Sequence, residues 1–294
     1  MTSPVQPPAG PGLIVGYKGE AGSDVLVFAK RWVRASGENV QVVTVYPGPA
    51  PIGPGRVDAE WVAYGREEAD RLLAAAKAEL TDSVPASYRS IGADSASHAL
   101  HDLVEADPDT VVVLGSRKTR GLRRTSPGST AERLLQGSTG PVALVPWDYE
   151  TTEDNDLERV AVAYVDTPDG HAALTHAVSL TQRLGATLTV LTVVPDTRVV
   201  PSFGDVRRFG EEQRTGYQEA LDQALGTLPA EVKATGQLLE GSVVDALADL
   251  TPDTVDLLIC GSRGYGPARR VLLGGVSSRV LRHARIPVIV VPRG

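Results

Sequence analysis

Four glycines, Gly261, Gly264, Gly274 and Gly275, are the residues of this chain best placed for chemistry, and the chemistry they suit is anion binding. Gly261 follows the apolar run Asp256-Leu257-Leu258-Ile259-Cys260. Gly274-Gly275 opens a short helical pattern that leads to a second run, Pro287-Val288-Ile289-Val290-Val291-Pro292. A strand that enters a glycine turn, followed by a glycine turn opening a helix, aims backbone N–H groups at one point, where the helix dipole adds to their pull on an anion. Glycine leaves the backbone free to close on that anion and accepts positive φ. Phosphate is the natural ligand.

The same stretch occurs 146 residues earlier: Gly115 matches Gly261, Gly128 matches Gly274, Pro141 matches Pro287 and Pro146 matches Pro292. Over the 32 positions from Gly115 to Pro146 there are 12 identities with the later copy, where unrelated sequences would give roughly two. The chain therefore reads as two copies of one domain. A single glycine turn has a bland reading in any open sheet, but a pair separated by thirteen residues in both copies is a stronger signal.

Each turn needs a strand before it and a helix after it, and the rest of the chain supplies them in alternation. In the first half, Leu13 to Tyr17 is a short strand, and a helix from Ser23 carries an apolar face through Leu26, Phe28, Ala29, Trp32 and Val33. Val40 to Tyr46 is a second strand, Val57 to Leu80 a helix, Tyr88 to Ile91 a third strand and Ser95 to Glu105 a helix. Thr110 to Leu114 enters the glycine turn, a helix surrounds Ala131 to Leu135, and Val142 to Val145 closes the half. The second half repeats the order from Val160, with a strand at Val232 to Leu239 and helices at Gly170 to Leu184, Val206 to Leu225 and Val243 to Leu250.

Alternating strands and helices predict an α/β fold: two tandem five-stranded, mainly parallel sheets with helices on both faces. The expected boundaries are a disordered start at 1–11, a first domain at 12–148, an acidic linker at 149–158 and a second domain at 159–294. Two units of about 140 residues suit one core each.

Composition narrows the function classes. The chain has 294 residues, a formal net charge of -7, 42% hydrophobic and 22% charged residues, which disfavours a general nucleic-acid or anionic-membrane surface. No apolar run reaches the roughly 20 residues that span a bilayer, and the start lacks the pattern of a signal peptide, so a cytoplasmic location is expected. One cysteine, Cys260, excludes an internal disulfide and reads as a small apolar core residue.

At these residues the chain resembles the universal stress protein family: Gly, two residues, Gly, nine residues, Gly and a small residue, placed between the fourth and fifth strands, fit Gly261, Gly264 and Gly274. The ending Val276-Ser277-Ser278-Arg279-Val280-Leu281-Arg282-His283-Ala284 looks like the family's closing helix. The resemblance covers nearly the whole chain twice and implies a tandem member with nucleotide-binding-like, Rossmann-like domains of the adenine nucleotide alpha hydrolase type. It further implies a site for ATP or a related adenine nucleotide, with Mg as its companion ion, in a stress-response or regulatory role.

Carried over by position, the resemblance gives the second half phosphate contacts at Gly261, Gly264, Gly274, Gly275, Val276 and Ser277, with Gly275 standing where nucleotide-binding members carry Ser or Thr. The family's aspartate at the end of the first strand falls on Asp166, or on Val165 if the gap is placed differently, while Val193 and Cys260 take the base-lining positions. In the first half Gly115, Gly128, Ser129 and Thr130 fit the phosphate pattern and Val45 the base-lining position. Lys118 replaces the second glycine and Lys18 the aspartate, so the second domain is expected to be the better site.

Between the turns, Arg117, Arg120, Arg123 and Arg124, echoed by Arg263, Arg269 and Arg270, read either as phosphate-screening residues or as a solvated basic loop. The histidines show no metal-ligand grouping. No GxxxxGK[ST] loop, GxSxG elbow or nucleophile with a base is present, which argues against an enzyme beyond slow ATP hydrolysis. The rival reading is an association scaffold with degenerate nucleotide sites. Its strands Val142 to Val145 and Val288 to Val291 pair with each other within the chain or join a homodimer.

Overall fold

The computed structural model describes residues 12–19, 23–48, 59–81, 84–118, 125–149, 156–195, 206–262 and 274–292. Gly264 and Arg120, Arg123, Arg124, Arg263, Arg269 and Arg270 lie outside them, as do the expected start at 1–11 and most of the linker.

The first half runs β1 (Leu13–Gly16), α1 (Ser23–Ser36), β2 (Val40–Pro47), α2 (Ala59–Leu80), β3 (Ala86–Ala93), α3 (Ala96–Ala106) and β4 (Val111–Gly115). It continues through β5 (Arg117–Lys118), β6 (Thr125–Ser126), α4 (Gly128–Leu134) and β7 (Val142–Val145). The second half runs β8 (Arg159–Ala163), α5 (Pro168–Leu184), β9 (Thr187–Val194), α6 (Val206–Gly226), β10 (Ala234–Glu240), α7 (Val243–Ala248), β11 (Leu257–Gly261), α8 (Gly275–His283) and β12 (Val288–Val291).

Local chemistry places these boundaries. Thr167 caps α5 by accepting a hydrogen bond from the Gly170 amide, Pro168 follows it, and Gly185 ends the helix at φ 63°. Gly37 takes the same left-handed conformation after α1. Edge strands β3 and β10 extend beyond their apolar cores because partly exposed, polar-bearing residues also join the ladder.

Ten strands form one sheet in the order β10-β9-β8-β11-β12-β7-β4-β1-β2-β3. Every neighbouring pair is parallel except β12 with β7, where Val288 faces Leu144, Ile289 faces Ala143 and Val290 faces Val142. Each half thus contributes five parallel strands, and the last strands of the halves pair with each other inside the chain. β5 and β6 form a separate antiparallel ribbon that the sequence presented only as a basic connection.

Two apolar layers sandwich the sheet. On one face β-strand side chains pack against Phe28 and Trp32 of α1, Leu73 and Leu80 of α2, Ala173 and Leu180 of α5, and Leu221 of α6. On the other they pack against Leu100 and Val104 of α3, Leu134 of α4, Leu247 of α7 and Leu281 of α8. Both layers include residues of both halves, so the cores continue across the β7–β12 seam.

Candidate functional site

In the second half β8 and β11 are neighbours whose connections leave in opposite directions, β8 through α5 to β9 and β11 through α8 to β12. Such a switch point opens a crevice beyond the carboxyl ends of the strands, where open α/β sheets bind ligands. Gly261 ends β11, Val165 and Asp166 follow β8, and Gly274 and Gly275 open α8 at that edge.

Close approach explains two of the glycines. A Cβ on Gly261 would sit 2.8 Å from the Asp169 carbonyl oxygen, so the missing side chain lets the first turn of α5 settle against β11. A Cβ on Gly170 would collide with the Val165 carbonyl oxygen, which keeps the β8–α5 turn tight. Gly275 differs: among the described residues a Cβ there would meet nothing within 4 Å at the start of α8. Gly274 is the N-cap in an extended conformation, and no side chain among the described residues caps the helix. First-turn amides of a helix have no intrahelical partner, so this end suits an anion.

Ser277 plays a positioning part. It is 7% exposed, and its Oγ donates to the Gly261 carbonyl at 3.1 Å, tying α8 to the end of β11. That tether engages the hydroxyl expected to reach phosphate in place of the family's Ser or Thr. Val276, beside it, packs on the core behind α8. Val193 and Cys260 are buried in that same layer, and Val45 packs against it from the first half. Burial pushes the Cys260 thiol up to about 12, leaving it protonated and inert at neutral pH.

The Asp166 carboxylate meets His171 Nε2 on α5 at 2.8 Å, and the His171 ring stands edge-on to Tyr164. Both partners are more than half exposed, so the pair is screened and adjustable. Val165, the alternative position, is 45% exposed with its carbonyl accepting from the Thr167 amide.

The first half builds the corresponding edge differently. Gly115 ends β4, and the ribbon of Arg117–Lys118 with Thr125–Ser126 lies directly beyond it. Gly128 has φ 76°, the left-handed region that favours glycine, and Arg117 Nε lies 3.4 Å from where its Cβ would be. Ser129 and Thr130 follow in α4, a helix of only seven residues. Gly128 is thus left-handed at the start of α4, whereas Gly274 is extended before α8.

Several tethers were missed by sequence reasoning. Thr44 Oγ1 donates to the Tyr17 carbonyl at 3.1 Å, and Thr192 Oγ1 to the Tyr164 carbonyl at 3.2 Å, binding the carboxyl ends of β1–β2 and β8–β9 in the same way. A threonine at matching register inside two apolar strands was the available signal. Among the described residues no group of three His, Cys, Asp or Glu is arranged for a metal ion. No described helix is long and apolar enough to cross a membrane.

Two parallel five-stranded halves, each with a glycine turn at the carboxyl edge of its fourth strand, define a tandem α/β protein of the nucleotide-binding-like, Rossmann-like class. A family model of the universal stress protein family matches residues 13–146 and again 157–292, and the chain belongs to that family as a two-repeat member. A universal stress protein of Mycobacterium tuberculosis is 28% identical over 303 residues, covering 95% of this chain and 99% of the relative. One from Mycolicibacterium smegmatis is 31% identical over 183 residues, covering 62% of this chain and 61% of its own length. The crystal structure of a universal stress protein from Archaeoglobus fulgidus has a TM-score of 0.68 at 18% identity, covering 96% of this chain and 99% of that one. That likeness concerns the fold.

Proposed function

We propose that the chain binds ATP or a related adenine nucleotide at the carboxyl edge of the second half, and that occupancy serves as a stress-response or regulatory signal. The observation that carries this reading is the start of α8, beside the end of β11: among the described residues no side chain caps the helix and none lies within 4 Å of a Cβ on Gly275. Phosphates would lie on the amides of Gly275 and Val276, and the base against the strand ends carrying Val193 and Cys260. Mg would enter on the triphosphate. The first half is the weaker site, because Lys118 replaces the second glycine and Lys18 the aspartate.

Calorimetric titration of the folded protein with ATP tests the reading, after a separate denatured aliquot has been assayed for carried-over nucleotide. Gly275→Asp has room for its side chain and places a carboxylate against the phosphates, so it should weaken binding by about tenfold or more. Parent protein that is empty and takes up no ATP would refute the proposal.

The scaffold reading draws on a different observation. Gly261 and Ser277 have structural partners, and the last strands already bind each other. It predicts a Gly275→Asp variant indistinguishable from the parent in nucleotide titration.

A further inference from the structure

The ladder between β9 and β10 fixes which backbone groups of β10 face outward. At its two ends Leu188 donates to the Lys233 carbonyl at 2.9 Å and Gly241 donates to the Val194 carbonyl at 3.0 Å. Successive residues of a strand turn their N–H and C=O groups to opposite sides, so Thr235, Gln237 and Leu239 face β9 together with these end residues. The groups of Ala234, Gly236, Leu238 and Glu240 point out of the sheet. Among the described residues no strand lies beyond β10, and Thr235, Gly236 and Gln237 are exposed.

A row of outward amides and carbonyls is a template for a further strand, and folded proteins blunt such edges with charge, proline or a bulge. β3, the other outer strand, carries exposed Arg89 at its middle. β10 keeps an uncharged run, Ala234 to Leu239, in unbroken register with β9. Charge enters only at its ends, with Lys233 just before it and Glu240 last.

These outward groups complement themselves. When a second β10 is set antiparallel to the first about a two-fold axis at Gln237, Gly236 meets Leu238 and Ala234 meets Glu240, once on each side of the axis. All four are outward-facing residues, and each such pair can exchange both of its hydrogen bonds. Gln237 then faces the partner's Gln237 at the non-hydrogen-bonded position between them. The same alignment brings Lys233 beside the partner's Glu240 at both ends, whereas a parallel alignment would set like charges together. The internal seam already uses this design: β7 and β12 pair antiparallel, with apolar layers continuing across both faces.

We propose that β10 is a self-association edge whose partner is a second copy of this chain, joined antiparallel with the two-fold axis at Gln237. The dimer doubles the sheet and places no demand on the β11–α8 edge, so it is independent of the nucleotide reading.

Sedimentation equilibrium of the full chain tests the proposal and should show a monomer–dimer equilibrium between roughly 1 μM and 1 mM. Gln237→Lys and Gln237→Glu, both at an exposed position, should each weaken association by about tenfold or more, because like charges then face each other across the axis. Mixing the two variants should restore it. Gln237→Cys should form an intermolecular disulfide on air oxidation, since residues facing at a non-hydrogen-bonded position lie about 4.5 Å apart between Cα atoms. Thr235→Cys, which faces the partner's Leu239, should form far less, and Cys260 is buried. Ser87→Lys on β3 should leave association unchanged. A parent that stays monomeric up to roughly 1 mM, association indifferent to Gln237→Lys, or oxidation that links Thr235→Cys as readily as Gln237→Cys would each overturn the proposal.

Discussion

Asp256 has two arginines, two backbone amides and almost no water. Burial raises its pKa, but hydrogen bonds from Arg159 and Arg31 and their charges outweigh that effect, holding the carboxyl below its usual value. The folded state therefore prefers the deprotonated form. This stabilisation is fully present above the unfolded-state value of about 3.9 and is lost as pH falls through it toward the lower folded value. For the parent, this contribution to the urea midpoint should hold from pH 7 down to about pH 4 and be lost only below that. Asp256→Asn should start lower and change less over the same range, and parallel curves would oppose this account. From sequence, Asp256 was only the polar first residue of an apolar run, and Arg31 one polar residue on a helix. Their meeting, 225 positions apart, depends on a domain arrangement that no local pattern encodes.

At the scale of elements, the two glycine-bearing edges differ: Gly274 is extended before α8, while a ribbon and a left-handed Gly128 precede α4. The sequence carried much of this: both turns, the helix after each and the strand before each were legible from glycines and apolar runs. The ribbon β5–β6 was not, because two-residue strands leave no periodicity. Nor was the division of labour among glycines, since packing against α5 and opening toward solvent look the same in one-letter code. Gly275 has space for a side chain and a φ that other residues adopt. Gly275→Ser should therefore add one hydrogen bond to a charged group and tighten ATP binding by about tenfold or more, as calorimetry would read. No change would mean that phosphate does not lie at the start of α8.

For the whole molecule, the decisive contacts cross between halves. Arg31 on α1 holds the start of β11 and the Asp156 carbonyl before β8, and Arg183 on α5 holds Glu38 while lying over the Trp32 ring at 5.8 Å. The linker was expected to be acidic and without apolar period, yet its ends are anchored, with Tyr149 6% and Leu157 0% exposed. Removing one partner of a buried ion pair leaves the other charge unmatched, at a cost of about 3 to 5 kcal/mol. Arg31→Met should lower the stability obtained from urea unfolding by roughly that amount, less whatever Arg159 still compensates. An unchanged midpoint would mean the seam is held by its apolar layers alone.

A pair of identical subunits joined through β7-like strands must keep both sides of its axis alike, because every change on one copy appears on the other. Joining the copies in a single polypeptide, with β7 and β12 hydrogen-bonded to each other, removes that obligation. Gly274 can then be extended before α8 in one repeat while a ribbon leads to a left-handed Gly128 in the other. Asymmetry, unavailable to a homodimer of this design, is what covalent fusion makes possible.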